Sequence, residues 1–244
     1  MTALRHLAPF ALLLAVWQVA ALVAASPALP GPAAVAAAMA EETVHGPLLF
    51  HLAATLGRVA AGFVLAMLVG TALGIAMGRS STVDRWLDGL MLALLNLPAI
   101  VLAVLVYIWL GLGELAVVVT VAVLKIPNVA VTIREGTRAL ERQYDEVAAA
   151  YRLTWATRLR AIVFPQLAPY IAASARNGFA LAWKIVLVVE LLGRSSGIGF
   201  ELQTYFQLFD VSRVLAYAIA FIVCALLIDV AAGRLERRTL RWRV

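Results

Sequence analysis

Long, nearly unbroken apolar runs dominate the chain, and polar positions cluster in the short stretches between them. A helix crossing the hydrocarbon core of a bilayer needs roughly 20 mostly apolar residues, because it rises about 1.5 Å per residue through about 30 Å. Six segments meet or approach that length: Leu7–Ala25, Leu52–Met77, Leu87–Leu110, Leu115–Ile133, Ile171–Leu192 and Val214–Ala232. The third contains Pro98, and the fourth contains Lys125 and Pro127. A proline within a span frees a carbonyl that lipid cannot satisfy, so these two helices are expected inside the bundle. Arg5 and the small Val23-Ala24-Ala25 stretch give the first run some features of a signal peptide. Its apolar stretch is long for one and five more spans follow, so it is expected to remain as a helix.

Composition narrows the class further. Of 244 residues, 64% are hydrophobic and only 14% charged, against about 45–50% and about 25% in soluble domains. So few charges cannot cover a soluble fold, which excludes a soluble enzyme and a disordered chain. A disulfide-stapled scaffold is excluded because Cys224 stands alone; it reads as a small packing residue. The expected fold is an all-α integral membrane protein.

The net charge of +6 is explained by where the basic residues lie. Fourteen of the twenty fall on one side: Arg5, Arg79, Arg85, Arg134, Arg138, Arg142, Arg152, Arg158, Arg160, Arg234, Arg237, Arg238, Arg241 and Arg243. The other side has only Arg194 and Arg213, and its first loop carries Glu41 and Glu42 with no basic residue. By the positive-inside rule both termini are cytoplasmic, and no nucleic-acid partner is needed to explain the charge. Arg58 and Arg176, near span ends, are expected to snorkel.

Chemistry is sparse. There is no Gly-x-x-x-x-Gly-Lys-Ser/Thr phosphate loop, since Gly111-Leu-Gly113 is followed by no Lys. His6, His45 and His51 are scattered and read as interfacial residues, not metal ligands. No Ser/His/Asp set occurs. No catalytic residue, cofactor or metal is expected.

The one sizeable cytoplasmic insertion runs from about Arg134 to Pro169. Tyr144, Ala148, Tyr151, Trp155, Leu159 and Ile162 recur at a 3–4 spacing, with Arg142, Asp145, Arg152 and Arg160 largely off that stripe. The pattern predicts one or two short amphipathic helices at the membrane's cytoplasmic face. They either pack their apolar stripe under the bundle or present a docking helix to a partner. Pro165 and Pro169 punctuate the entry to the next span.

Within that insertion, Glu146-Val147-Ala148-Ala149-Ala150-Tyr151-Arg152, continuing to Ile162-Val163-Phe164-Pro165, resembles the Glu-Ala-Ala loop of ABC-importer permeases. Similar stretches are Leu29-Pro-Gly-Pro32, His51 through Gly74, Asn96-Leu-Pro98 through Glu114, Ala182-Trp183-Lys184 through Glu190, and Ser196-Gly-Ile-Gly199. The pattern is most similar to the nitrate/sulfonate/taurine branch, whose members also carry bicarbonate, aromatic acids and pyrimidine precursors. The resemblance implies a MetI-like permease core with about six transmembrane helices. It divides the chain into an N-terminal helix and external loop (1–46), the permease core with its coupling loop 134–169 (47–235), and a basic tail (236–244).

The resemblance also implies the partners. Two copies, most simply identical, form the pore in the bacterial inner membrane. An ATPase subunit lies under each, ATP being bound there and not by this chain, and an extracytoplasmic binding protein delivers the solute. Glu146, Val147, Ala148, Ala149, Arg152, Thr154 and Pro165 fall on the ATPase-coupling positions. Arg152 stands where the family has a Gly that ends the first short helix in a left-handed conformation. Either the turn shifts to Leu153-Thr154, with Thr154 capping the second helix, or the loop geometry differs. Gly193–Phe209 and the 26–51 loop face outside and are the expected docking surface for the binding protein.

Intramembrane polar residues are the candidates for the translocation path: Asn96, Lys125, Asn128 and Lys184. A charge at the bilayer centre costs at least about 2.5 kcal/mol, so it usually faces a cavity or a partner. The two lysines would offer a positive field to an anionic solute; alternatively they snorkel to an interface. The competing reading of the whole chain is a self-contained six-helix secondary transporter or channel. That reading needs mid-span carboxylates or inverted repeats, and neither is evident.

Overall fold

The computed structural model of the chain describes residues 2–140 and 142–239. The basic tail expected over 236–244 lies outside the described residues beyond Thr239, as do the side chains of Arg5, Arg142 and Asp145. All regular structure among the described residues is helical: α1 (Thr2–Ala24), α2 (Pro32–Val44), α3 (Leu48–Arg79), α4 (Ser81–Leu95), α5 (Ala99–Leu110), α6 (Glu114–Arg138), α7 (Arg142–Ala150), α8 (Trp155–Arg158), a π-turn (Leu159–Val163), α9 (Phe164–Gly193), α10 (Ile198–Gln207) and α11 (Val211–Thr239).

The six expected spans all fall on helices, but unequally. Among the described residues three helices are long and apolar enough to cross a membrane: α3, α6 and α11 over Val211–Ala231. The third expected span, Leu87–Leu110, is not one rod: α4 and α5 meet at a bend of 101°. Pro98 has no N–H to continue a helix, and the Asn96 amide caps α4 by donating to Leu92 O at 2.8 Å. Surface chemistry agrees with a lipid environment. Phe10, Leu68, Ile108, Leu227 and many other large apolar side chains are exposed, while Arg58, Lys125, Glu190 and Thr55 are buried.

The chain forms two compact units. The larger, Gly57–Val189 with Ile228–Val244, is organised by a stripe of glycines on α3. A Cβ added at Gly62, Gly70, Gly74 or Gly78 would come within 2.5–2.7 Å of Val121, Val129, Ala130 O or Thr137 respectively. Only glycine lets the two backbones approach so closely. Position 62 meets 121 and position 78 meets 137, so α3 and α6 run in the same direction. The chain must therefore return across the bilayer between them, and only α4 and α5 lie there; the bent pair is a broken span. Around this seam Val129, Ile133, Val163 and Leu167 form one buried cluster, and Met77, Met91 and Ala130 another.

Polar contacts hold both ends of α6. At its start Arg58, 4% exposed, places Nε and Nη2 each 2.7 Å from the carboxylate oxygens of Glu114. This overturns the expectation that Arg58 snorkels: a buried guanidinium needs a bidentate partner, and Glu114 supplies one. At the other end Arg134 pairs with Asp84 and Asp88, and Arg138 with Asp84.

The smaller unit comprises Met1–Leu56 and Glu190–Leu227. In it the Trp17 indole donates to Pro30 O at 3.0 Å, tying α1 to the turn before α2. Glu42 of α2 is buried and accepts from Tyr205 (3.1 Å), Arg213 (2.8 Å) and Tyr217 (2.9 Å). α2 is thereby fastened to α10 and α11.

Candidate functional site

The periodicity predicts one or two short helices in the insertion between α6 and α9: α7 is one, while α8 runs unbroken through the π-turn into α9, and the turn between them resolves the question of Arg152. Arg152 itself adopts the left-handed conformation, φ +49°. The Leu153 N–H donates to Ala148 O (2.9 Å) and the Arg152 N–H to Ala149 O (3.1 Å), the paired bonds of a Schellman C-cap. The turn does not shift. Thr154 nevertheless caps α8, its hydroxyl accepting from Thr157 N at 3.3 Å. Pro165 lies one turn into a helical run that continues unbroken from Trp155 through the π-turn into α9, so its missing N–H removes a helical bond just where the π-turn loosens the ladder.

The apolar stripe is divided between two environments. Ala148 is buried, and Leu159 and Ile162 are half-buried, against the bundle. Tyr144, Tyr151 and Trp155 are 47%, 77% and 74% exposed, so they do not pack under the spans as the spacing alone suggests. Glu146, Val147, Ala149, Ala150 and Arg152 are exposed too. Among its described side chains, this nine-residue helix thus rests on the one buried methyl of Ala148 and turns the others outward.

The path candidates separate. Lys125 is 3% exposed, in α6 two residues before Pro127. No carboxylate pairs with its ammonium among the described residues. Asn128 is exposed and its amide donates to Leu124 O at 3.3 Å. Asn96 and Lys184 are also exposed. No hydrogen bond or ion pair joins any two of these four among the described residues.

The smaller unit holds a polar cluster that the sequence reading missed. Glu190, fully buried, accepts from the Thr55 hydroxyl (3.0 and 2.9 Å) and from Gly199 N (2.9 Å). The Thr55 oxygen in turn accepts from Ile198 N at 2.8 Å. His51, expected at an interface, is buried: its Nδ1 accepts from Gly197 N (2.8 Å) and its Nε2 faces Glu201 Oε1 (2.9 Å). Because Nδ1 is an acceptor, the ring proton sits on Nε2 and is donated to Glu201. Burial, then the Glu42 charge, push the Glu201 carboxyl above its ordinary range. Burial and the hydrogen bond to Glu42 push the Tyr205 phenol to about 12. The only hint in the sequence was Ser196-Gly-Ile-Gly199 itself; its partners lie too far away in the chain for spacing to reveal them.

Comparison with known proteins bears on all of this. Residues 67–241 match the model of the family described as binding-protein-dependent transport system inner membrane component. The chain is 29% identical to the Bacillus subtilis (strain 168) permease protein SsuC, named for aliphatic sulfonates transport, over 96% of this chain and 85% of that protein. It is likewise 29% identical to the taurine transport system permease protein TauC of Escherichia coli (strain K12), over 93% and 84%. Its fold is similar to a chain of the MetNI methionine ABC transporter in an inward-facing conformation. The TM-score is 0.69 at 16% identity, covering 78% of this chain and 95% of that one. With a family model matching well over half its length, the chain belongs to the inner membrane components of binding-protein-dependent transport systems: it is a multi-pass permease of an ABC importer, not itself the catalyst, working with an ATPase and a binding protein.

Proposed function

We propose that α7, its Arg152 turn and the capped start of α8 form the coupling element that an ATPase subunit grips. We further propose that two copies of this chain surround the solute path with one ATPase beneath each. The observation that carries this reading is the outward-facing surface of Glu146, Val147, Ala149 and Ala150 on a helix held by Ala148 and closed by a Schellman turn. Small side chains at 149 and 150 let a partner surface approach closely. The loop joins α6 to α9 directly, so its displacement is transmitted to both helices. ATP-driven closure of the ATPase pair would then tilt them between inward- and outward-open states, a rigid-body switch.

The solute is a small anion or polar molecule of the sulfonate, taurine, bicarbonate, nitrate, aromatic-acid or pyrimidine-precursor type. The sulfonate and taurine names of the relatives support this, as does the buried Lys125, whose charge has no described carboxylate to neutralise it. Asn96, Asn128 and Lys184 are the further path residues. The segments Gly193–Phe209 and 26–51, the latter carrying α2, receive the binding protein. The permease core spans 47–235, preceded by the 1–46 helix and loop.

Co-purification of the full chain with its ATPase tests the coupling reading. Glu146→Arg with Ala149→Arg is expected to abolish ATPase recovery while the permease's own melting temperature stays within a few degrees. Full recovery with the double variant would refute it.

A further inference from the structure

A cavity of about 560 Å³ opens within the larger unit, beside the cytoplasmic end of α3. One wall is Ala72, Ile75, Ala76 and Arg79, which fall at the 3–4 spacing of a single helix face. The other is the loop after the Arg152 turn: Leu153, Trp155, Arg158, Leu159 and Phe164. The lining is apolar except for the two arginines. Arg79 ends α3 at the arginine-rich face of the protein, and Ala72 lies about 10 Å deeper along the helix axis. Ala72, Ala76, Trp155 and Phe164 are exposed, so the hollow communicates with the surroundings of the bundle.

We propose that this cavity binds an anionic glycerophospholipid of the cytoplasmic leaflet, its phosphodiester held by Arg79 and Arg158 and an acyl chain lying along Ala72, Ile75 and Ala76. The Ala72, Ile75 and Ala76 wall offers no polar group to hold water, and hydrocarbon fills that part of the hollow without loss. The two guanidinium groups stand where a headgroup at the cytoplasmic boundary reaches them, and Arg favours phosphate through its planar fork. Trp155 beside them is an amphipathic ring suited to headgroup level. A soluble anion would match the arginines but leave the alanine-lined wall unfilled. The inference does not depend on what the coupling loop grips. It adds that a lipid bridges that loop to α3.

The test is lipid retention by the full-length permease. The chain is reconstituted in nanodiscs of phosphatidylglycerol and phosphatidylcholine, re-extracted in mild detergent, and its bound lipid measured by native mass spectrometry. Wild type is expected to keep phosphatidylglycerol selectively. Retention falls about fivefold for each of Arg79→Gln and Arg158→Gln. Ala76→Phe, which keeps both arginines but fills the hollow, loses the lipid as well and guards against misfolding of the arginine variants. Arg85→Gln with Arg160→Gln, equal in charge change but outside the lining, retains it. Equal loss in that control, undiminished retention in Ala76→Phe, or displacement by millimolar inorganic phosphate would each overturn the proposal.

Discussion

Gly197 sits against the carboxyl group of Glu190 so closely that a Cβ on Gly197 would overlap it. The same glycine has φ +110°, a region closed to side chains, and its N–H is bonded to His51. Gly197→Ala therefore strains the backbone and disturbs a buried carboxylate at once. A loss of about 3 kcal/mol is expected, seen as a drop of several degrees in the melting temperature of the detergent-solubilised permease. Gly113→Ala, with nothing near its Cβ, should leave the melt in place.

Arg152 occupies a conformation that costs a non-glycine residue roughly 1 kcal/mol. Arg152→Gly should stabilise the loop by about that amount, and Arg152→Ala should not. Amide hydrogen exchange of Arg152 and Leu153, whose N–H groups close the turn, reads the difference: slower in the glycine variant, unchanged or faster with alanine. Identical exchange in both would mean that the left-handed turn is not strained.

The Arg58–Glu114 fork predicts a strong interaction energy. Removing Glu114 leaves a guanidinium that is 4% exposed without its bidentate acceptor, at a cost of about 3 kcal/mol. A double-mutant cycle of Arg58→Met and Glu114→Gln should give a coupling of at least about 1.5 kcal/mol. Additive effects would show that the pair contributes nothing beyond its separate side chains.

Of the four proposed path residues, Lys125 is the buried one. Lys125→Met should reduce solute uptake in proteoliposomes at least about tenfold while ATPase recovery and melting temperature hold, because the nearly isosteric apolar chain removes charge without removing volume. Lys184→Met, altering an exposed side chain, should have the smaller effect on uptake. Undiminished uptake with Lys125→Met would remove the anion-attracting role.

Sequence reading reached some of these features and not others, for physical reasons. The helical character of the insertion was legible because a local 3–4 spacing and the Glu146-to-Pro165 pattern mark it, though not that α8 runs unbroken into α9. Arg152 was recognised as the point of conflict, but whether backbone strain or a shifted turn would prevail depends on the neighbouring hydrogen bonds. Pro98 marked a discontinuity, though a 101° bend cannot be read from a proline. Arg58 with Glu114 and Thr55 with Glu190 were invisible, lying 56 and 135 residues apart. The glycines at 62, 70, 74 and 78 were not singled out in the sequence, because their meaning depends on the residues of α6 that face them.

The spacing of those glycines limits how the transporter can move. Val121, Val129 and Thr137 lodge against notches that no longer exist if α3 and α6 slide by a single residue, so the two helices form one strut without internal slack. Whatever pushes on the insertion after Arg138 acts on both helices together. The compliance must then reside at the joints flanking the strut: Ser80, the Asn96–Pro98 elbow and the glycine-bounded stretch at 111–113. Stiffening one of those joints, not loosening the strut, is the way to arrest the cycle with its architecture intact.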